Sequence, residues 1–350
     1  MHITDEPGQP LLFFVRGRGR GHAQVALSIA KRLAASGFGL PLRFVSYAAG
    51  AEMLREAGWD VIDLGLPEGN TFVETVVPVG RIIREQRPRS VVAHEEFAAP
   101  AAASILDIRS VFLTDWFSNA SHSNMRALEA ANEILFIDEP GAFEEPAYLR
   151  DRIRYVGAVL RDREYGPGDR ARARKELGVE EGQLAIGVFV HPGRRGETVA
   201  PVCGLLLTAL DRIAAPQKLF WLSGADDVLA ESLKRRRDAV ILGPTAPFDR
   251  LMAACDLAFT KGNRNIVLEL ATFGVPTISF SHGLNRIDDI RTSRVEGNST
   301  LAAARLTAET LAEYIRQRLR RGPEGARPVR FRDGAQGVAE RLIELAAGCA

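Results

Sequence analysis

The chain has 350 residues, more than one ordinary core accommodates, so two domains of about 100–200 residues are expected. A net charge of +1 on a chain that is 25% charged gives no electrostatic case for nucleic acid as the main partner. Its three cysteines, Cys203, Cys255 and Cys349, stand far apart with no CxxC, which speaks against a zinc site or a disulfide framework.

Short apolar runs alternate with helical patterns. Leu11–Val15 reads as a strand, followed by a helix over 23–36 with Ala26, Ile29, Ala30 and Leu33 on one face and Gly37 as its stop. Strands are expected at 42–46, 61–64, 90–93, 111–113 and 134–137, with helices at 48–57, 72–86, 97–106 and 119–131 between them and a kink at Pro78. The charged stretch 160–174, with Gly166, Pro167 and Gly168, reads as a linker. The alternation then restarts. Strands are expected at 184–190, 219–222, 240–242, 257–260 and 275–280. Helices are expected near 199–214, up to Arg236, and at 248–254, 266–273, 307–320 and 335–346.

Strands alternating with helices imply parallel sheets covered on both faces, here in two doubly wound halves. Domains are expected at 1–158 and 159–332, with a final helical segment, 333–350, packing back on the first. Open parallel sheets bind ligands beyond the carboxyl ends of their strands, so the cleft between two such halves is the expected site. No run approaches the about 18 apolar residues of a membrane span, and the polar start, Met1 to Pro10, lacks a signal-peptide core. A cytoplasmic protein is expected. The basic helix end from Arg316 to Arg321 reads as a solvated terminus, with lipid contact as the alternative.

Two loops carry the chemistry. Arg16-Gly17-Arg18-Gly19-Arg20-Gly21-His22 joins the first strand to the first helix. It lacks the glycine spacing and the acidic strand end of a dinucleotide fingerprint, and no Gly-Lys-Ser/Thr follows as in a P-loop. His22 opens the helix, where the positive end of the dipole disfavours its charged form, as suits a general base. The second loop, Thr260-Lys261-Gly262-Asn263-Arg264-Asn265, opens a helix that stops at Gly274. Gly262 permits close approach of a phosphate, and the free N–H groups of the helix start bind one. Glu269, four residues after Asn265 on the same face, is spaced to accept hydrogen bonds from ribose hydroxyls. A glycine-rich turn and an ordinary amphipathic helix are the simpler readings of the two loops.

At these loops the chain resembles the GT-B glycosyltransferases, in the branch of the peptidoglycan N-acetylglucosaminyltransferase and the UDP-glucuronosyl and plant UDP-glycosyltransferases. The family pattern G-G-x-x-T-x-x-E-a-l-x-x-G-v-P is met by the run from Gly262 to Pro276, with Asn263 at the second glycine and Ile266 at the threonine. Asn263 can adopt the positive φ of the missing glycine. The resemblance implies an inverting, metal-independent glycosyltransferase with no cofactor, moving a sugar from a nucleotide-diphosphate donor, a UDP-sugar, to an acceptor hydroxyl that the sequence leaves unnamed.

Residue by residue, the resemblance implies the donor on Gly21, Lys261, Gly262, Asn263, Arg264, Asn265 and Glu269, with the base near Gly243. The loop His191-Pro192-Gly193-Arg194-Arg195-Gly196 would face the diphosphate through Gly193 and Arg194 or Arg195. The family's acidic-Gln pair for the sugar is missing. Register favours Asn285-Arg286 for that place, and residue type favours Asp288 or Asp289. His22 would be the catalytic base, oriented by Glu95, Glu96 or Asp115, among which the sequence does not choose. Two alternatives stand beside this reading: a UDP-sugar 2-epimerase of the same fold, and a non-catalytic nucleotide-sugar binder, the latter motivated by Asn263, Ile266 and the missing pair.

Overall fold

The computed structural model describes residues 8–117, 122–141, 145–190, 200–222, 233–243, 247–281, 292–320 and 327–347. The chain divides into two units, Met1–Arg161 with Phe331–Ala350, and Asp162–Arg330.

Unit one holds seven parallel strands: β1 (Leu11–Val15), β2 (Leu42–Ser46), β3 (Val61–Asp63), β4 (Ser90–His94), β5 (Ser110–Thr114), β6 (Glu133–Phe136) and β7 (Ile153–Tyr155). Their order is β3-β2-β1-β4-β5-β6-β7, all pairs parallel. All five residues of β1 are buried, as expected for a central strand covered on both faces. Leu11, Phe13 and Val15 face a core shared with α1 (Gly21–Ala35), while Leu12 and Phe14 face α3 (Phe72–Gln86) and α4 (Ala98–Ile105). α2 (Ala48–Glu56) follows β2, and α5 (His122–Ala130) precedes β6. α3 runs as one helix through Pro78, its start fixed by a capping box between Thr71 and Glu74.

Unit two holds β8 (Leu184–Phe189), β9 (Gln217–Leu222), β10 (Ala239–Leu242), β11 (Leu257–Thr260), β12 (Thr277–Ser281) and β13 (Asn298–Ala302). Their order is β10-β9-β8-β11-β12-β13, again parallel. Its helices are α6 (Arg170–Glu176), α7 (Ala200–Leu210), α8 (Phe248–Ala254), α9 (Arg264–Thr272) and α10 (Ala308–Arg320). In each sheet the order reverses beside the first strand, between β1 and β4 and between β8 and β11. Such switch points open a crevice at the strand ends.

The stretch expected as a linker is not one throughout. From Asp162 it belongs to unit two, and 170–176 is a helix whose Arg170 and Arg174 are held by Asp256 at 2.5 and 2.8 Å. Both chain crossings end on the same piece of unit two. Arg163 Nη1 donates to Thr272 Oγ1 at 2.5 Å, and Val329 N donates to the Ala271 carbonyl at 2.9 Å, both at the C-terminal end of α9. The last helix, α11 (Gly334–Ala347), lies in unit one, where Ala335, Val338, Ala339 and Leu342 share one core with Ala26, Ile29 and Leu33 of α1.

Candidate active site

The first region lies at the β1–β4 switch point. A Cβ on Gly17 would lie 2.1 Å from the Tyr47 carbonyl oxygen, so only glycine fits where the β1–α1 loop crosses the end of β2. The loop's arginines are engaged within unit one. Arg16 lies over the Phe97 ring at 4.7 Å, Arg18 donates to the Asn70 carbonyl, and Arg20 pairs with Glu56 at 2.6 Å. Gly21 is the first residue of α1, with open space where a side chain would stand.

His22 follows on the first turn, which carries no acidic residue. Of the three carboxylates the sequence offered, Glu95 is the one that meets it: His22 Nε2 lies 3.3 Å from Glu95 Oε2. A carboxylate only accepts, so Nε2 carries the proton and Nδ1 the lone pair. Nδ1 is covered and has no hydrogen-bond partner among the described residues. Arg16 Nη1 reaches the same carboxylate oxygen at 3.5 Å, and Thr114 Oγ1 donates to the other, Oε1, at 3.0 Å. Burial works against the charge of Glu95. The hydrogen bond from His22 outweighs it and holds Glu95 below the usual carboxylate range.

His94 supports the ring from below, its Nδ1 donating to the His22 carbonyl at 3.2 Å and its ring edge-on to His22 at 5.0 Å. Burial, with the neighbouring His22, pushes it down to about 4, so it is neutral near pH 7. Glu96 points elsewhere. It accepts from Ala98 N at 3.4 Å, and burial pushes its carboxyl up to about 7 despite Arg16 and Arg18. Asp115 contributes its charge to His94 and Glu95 from the end of β5.

The second region lies at the β8–β11 switch point. Gly262 takes φ +82°, the left-handed conformation that closes the β11–α9 turn. Asn263 needs no positive φ: it caps α9 from φ −64°, ψ 112°, without a side-chain hydrogen bond. The first turn holds no acidic residue of its own, and the Asn263 side chain takes none of its N–H groups. Lys261 and Asn265 are half-buried beside that start. Arg264 is buried and donates to Asn265 Oδ1 at 3.3 Å. Glu269 is buried one turn further along the helix. Thr260 is fully buried on the sheet face that carries α9, and its hydroxyl has no hydrogen-bond partner among the described residues.

Gly243 is exposed just after β10, whose Val240 and Ile241 are also exposed. Gly193, Arg194, Arg195, Asn285, Arg286, Asp288 and Asp289 lie outside the described residues. Sequence reasoning gave no role to Arg16, His94, Thr114 or Thr260. Arg16 and Thr260 open the two motif loops, and His94 and Thr114 each precede a candidate carboxylate, which was the available signal. Among the described residues, no helix is long and apolar enough to cross a membrane.

No family model matches the sequence, and no curated protein does so significantly. Solved structures do. A complex of S. aureus MnaA with UDP has a TM-score of 0.70 at 11% identity, over 97% of this chain and 96% of that one. A putative UDP-N-acetylglucosamine 2-epimerase from Listeria monocytogenes gives 0.69 at 14%, over 97% and 96%. The glycotransferase of kitacinnamycin gives 0.67 at 14%, over 98% and 99%. At these identities the likeness is one of fold. The GT-B architecture of two Rossmann-like units expected from the sequence is the architecture the chain has.

Proposed function

We propose that the chain is a nucleotide-sugar enzyme, and more narrowly an inverting glycosyltransferase using a UDP-sugar. The observation that carries this reading is the His22–Glu95 contact, 3.3 Å, at the opening of the first helix. In the reaction, His22 Nδ1 takes the proton of an acceptor hydroxyl as that oxygen bonds to the anomeric carbon. The bond from that carbon to the diphosphate oxygen breaks, and the nucleotide leaves with the electron pair. Glu95 stabilises the imidazolium that forms. Nδ1 is covered, so the reading includes a turn of the ring toward the incoming hydroxyl.

The departing diphosphate would lie on the open N–H groups at the start of α9, beside Lys261 and Asn265, with Glu269 on the ribose. The solved structures of this fold that are described as a glycotransferase and as a UDP complex support a nucleotide sugar as the ligand class. Testing runs in two steps. UDP, TDP and GDP are compared by thermal shift, where a ligand of the native state raises the melting temperature. Then His22→Ala is assayed with an acceptor panel. Nucleotide binding kept and transfer lost is the expected result; transfer at the wild-type rate removes His22 from the chemistry.

A second reading, a UDP-sugar 2-epimerase, draws on the acidic residues gathered at the ends of β4 and β5, namely Glu95, Glu96 and Asp115, and on the Listeria neighbour. Incubation with UDP-GlcNAc and no acceptor separates the two, because only an epimerase forms UDP-ManNAc.

A further inference from the structure

Glu95 follows the end of β4 at φ +52°, a left-handed conformation that costs a non-glycine residue about 1–2 kcal/mol. Along β4, Val91 and Ala93 face the α3–α4 core and Val92 faces the α1 core. Strict alternation would therefore send Glu95 to the α3–α4 face, away from His22. The turned backbone instead lets the carboxylate lie across the end of the sheet. Oε2 meets His22 on α1, and Arg16 reaches the same oxygen. Oε1 meets Thr114, which by the alternation of Val111, Phe112 and Leu113 stands on the opposite face.

Thr114 is fully buried, and its single proton has two acceptors within reach: Glu95 Oε1 at 3.0 Å and the Trp116 carbonyl at 3.1 Å. The Trp116 N–H approaches the same hydroxyl as a donor at 3.4 Å. An ionised carboxylate is the stronger acceptor of the two, so the proton goes to Glu95 while Glu95 is charged.

We propose that Thr114 is a positioning residue: its hydroxyl fixes the rotation of the Glu95 carboxylate so that Oε2 faces His22 and the ring proton stays on Nε2. Its catalytic consequence rests on the reading of His22 as the base; its structural consequence does not. The charged and titratable groups around Glu95 are Arg16 and His22 before and on α1, His94 on β4, Glu96 next in the chain, and Asp115 after β5.

The test uses the full chain with Thr114→Val, which keeps the shape and removes the hydroxyl, and Thr114→Ser, which restores it. Ring nitrogen chemical shifts of ¹⁵N-histidine protein, assigned with a His22 variant, report the tautomer without any turnover. Wild type and Thr114→Ser should hold the Nε2–H form of His22, and Thr114→Val should mix in the Nδ1–H form. In turnover, Thr114→Val should lower kcat about tenfold with KM for the nucleotide sugar unchanged. The acid limb of kcat should move to higher pH, because the charged form of Glu95 has lost a donor. In a Glu95→Ala background, which leaves the Thr114 hydroxyl no side chain to position, the Thr114 substitution should have no further effect.

A wild-type His22 tautomer in Thr114→Val overturns the proposal, as does an undiminished Thr114 effect after Glu95 is changed, which would mark a structural role. Should Thr114→Val fail to fold, a serine variant that does not keep the wild-type tautomer overturns it. Wild-type transfer by His22→Ala would instead overturn the base reading and leave the tautomer result standing.

Discussion

The two switch-point regions are built in different ways. In unit one the polar groups hold one another: Thr114 holds Glu95, Glu95 holds His22, and His94 holds the His22 backbone. In unit two the backbone does the work, with Gly262 turning the chain and α9 starting without a side-chain cap. A side-chain network sets protonation states and is exposed to single substitutions. A backbone cradle offers N–H groups that no substitution removes except by proline or by altering the turn. The first design suits chemistry, the second suits holding an anion.

This contrast breaks first at His22. His22→Ala should cost turnover by about 10²–10⁴-fold, the range for a general base, with nucleotide affinity nearly unchanged, as read by steady-state kinetics and calorimetry. A comparable loss of affinity would mean that the network also binds the donor.

Next comes the pH dependence of stability. Glu96, raised in the folded chain to about 7, contributes stability that is present below its ordinary value of 4.5 and lost as pH rises through 7. His94, lowered to about 4, does the opposite: its contribution is present above 6.5 and lost as pH falls toward 4. Between about 4.5 and 6.5 the two slopes cancel. Glu96→Gln removes the first and should leave a profile that falls on acidification, by up to about 3 kcal/mol, in urea titrations across that window. An unchanged profile would show that the two groups do not titrate in this way.

On the backbone side, Gly262→Ala forces a side chain into φ +82° and should weaken UDP binding by about 1–2 kcal/mol while transfer chemistry on bound donor is kept. The smallest effect is expected at Thr260. Its buried hydroxyl finds no partner in the described structure, so Thr260→Val should raise unfolding free energy by about 1 kcal/mol. Destabilisation by the valine would mean that the hydroxyl is satisfied in solution.

Much of the fold was legible because central strands such as β1, β8 and β11 are near-continuous apolar runs between turn residues. The edge strands β7 and β13 were not. Paired on one side only, Ile153–Tyr155 and Asn298–Ala302 are short or polar and carry no apolar run. At the site, His22 and the Gly262 turn could be read from type and position. The choice of Glu95 over its neighbour Glu96 could not, because it depends on a left-handed φ that breaks the strand's alternation. The linker was misjudged for a related reason: arginines at 170 and 174 look solvated until Asp256, far along the chain, is brought beside them.

The placement of α11 bears on how the protein is made. Ala26, Ile29 and Leu33 of the first helix share their core with Ala335, Val338 and Leu342, and the whole of Asp162–Arg330 is synthesised between the two. On the ribosome, unit two is made after the first helix and before the segment that covers it. A fragment cut at Arg161 would carry a bare apolar stripe, so an isolated first unit should be made as residues 8–161 joined to 331–347 by a short linker.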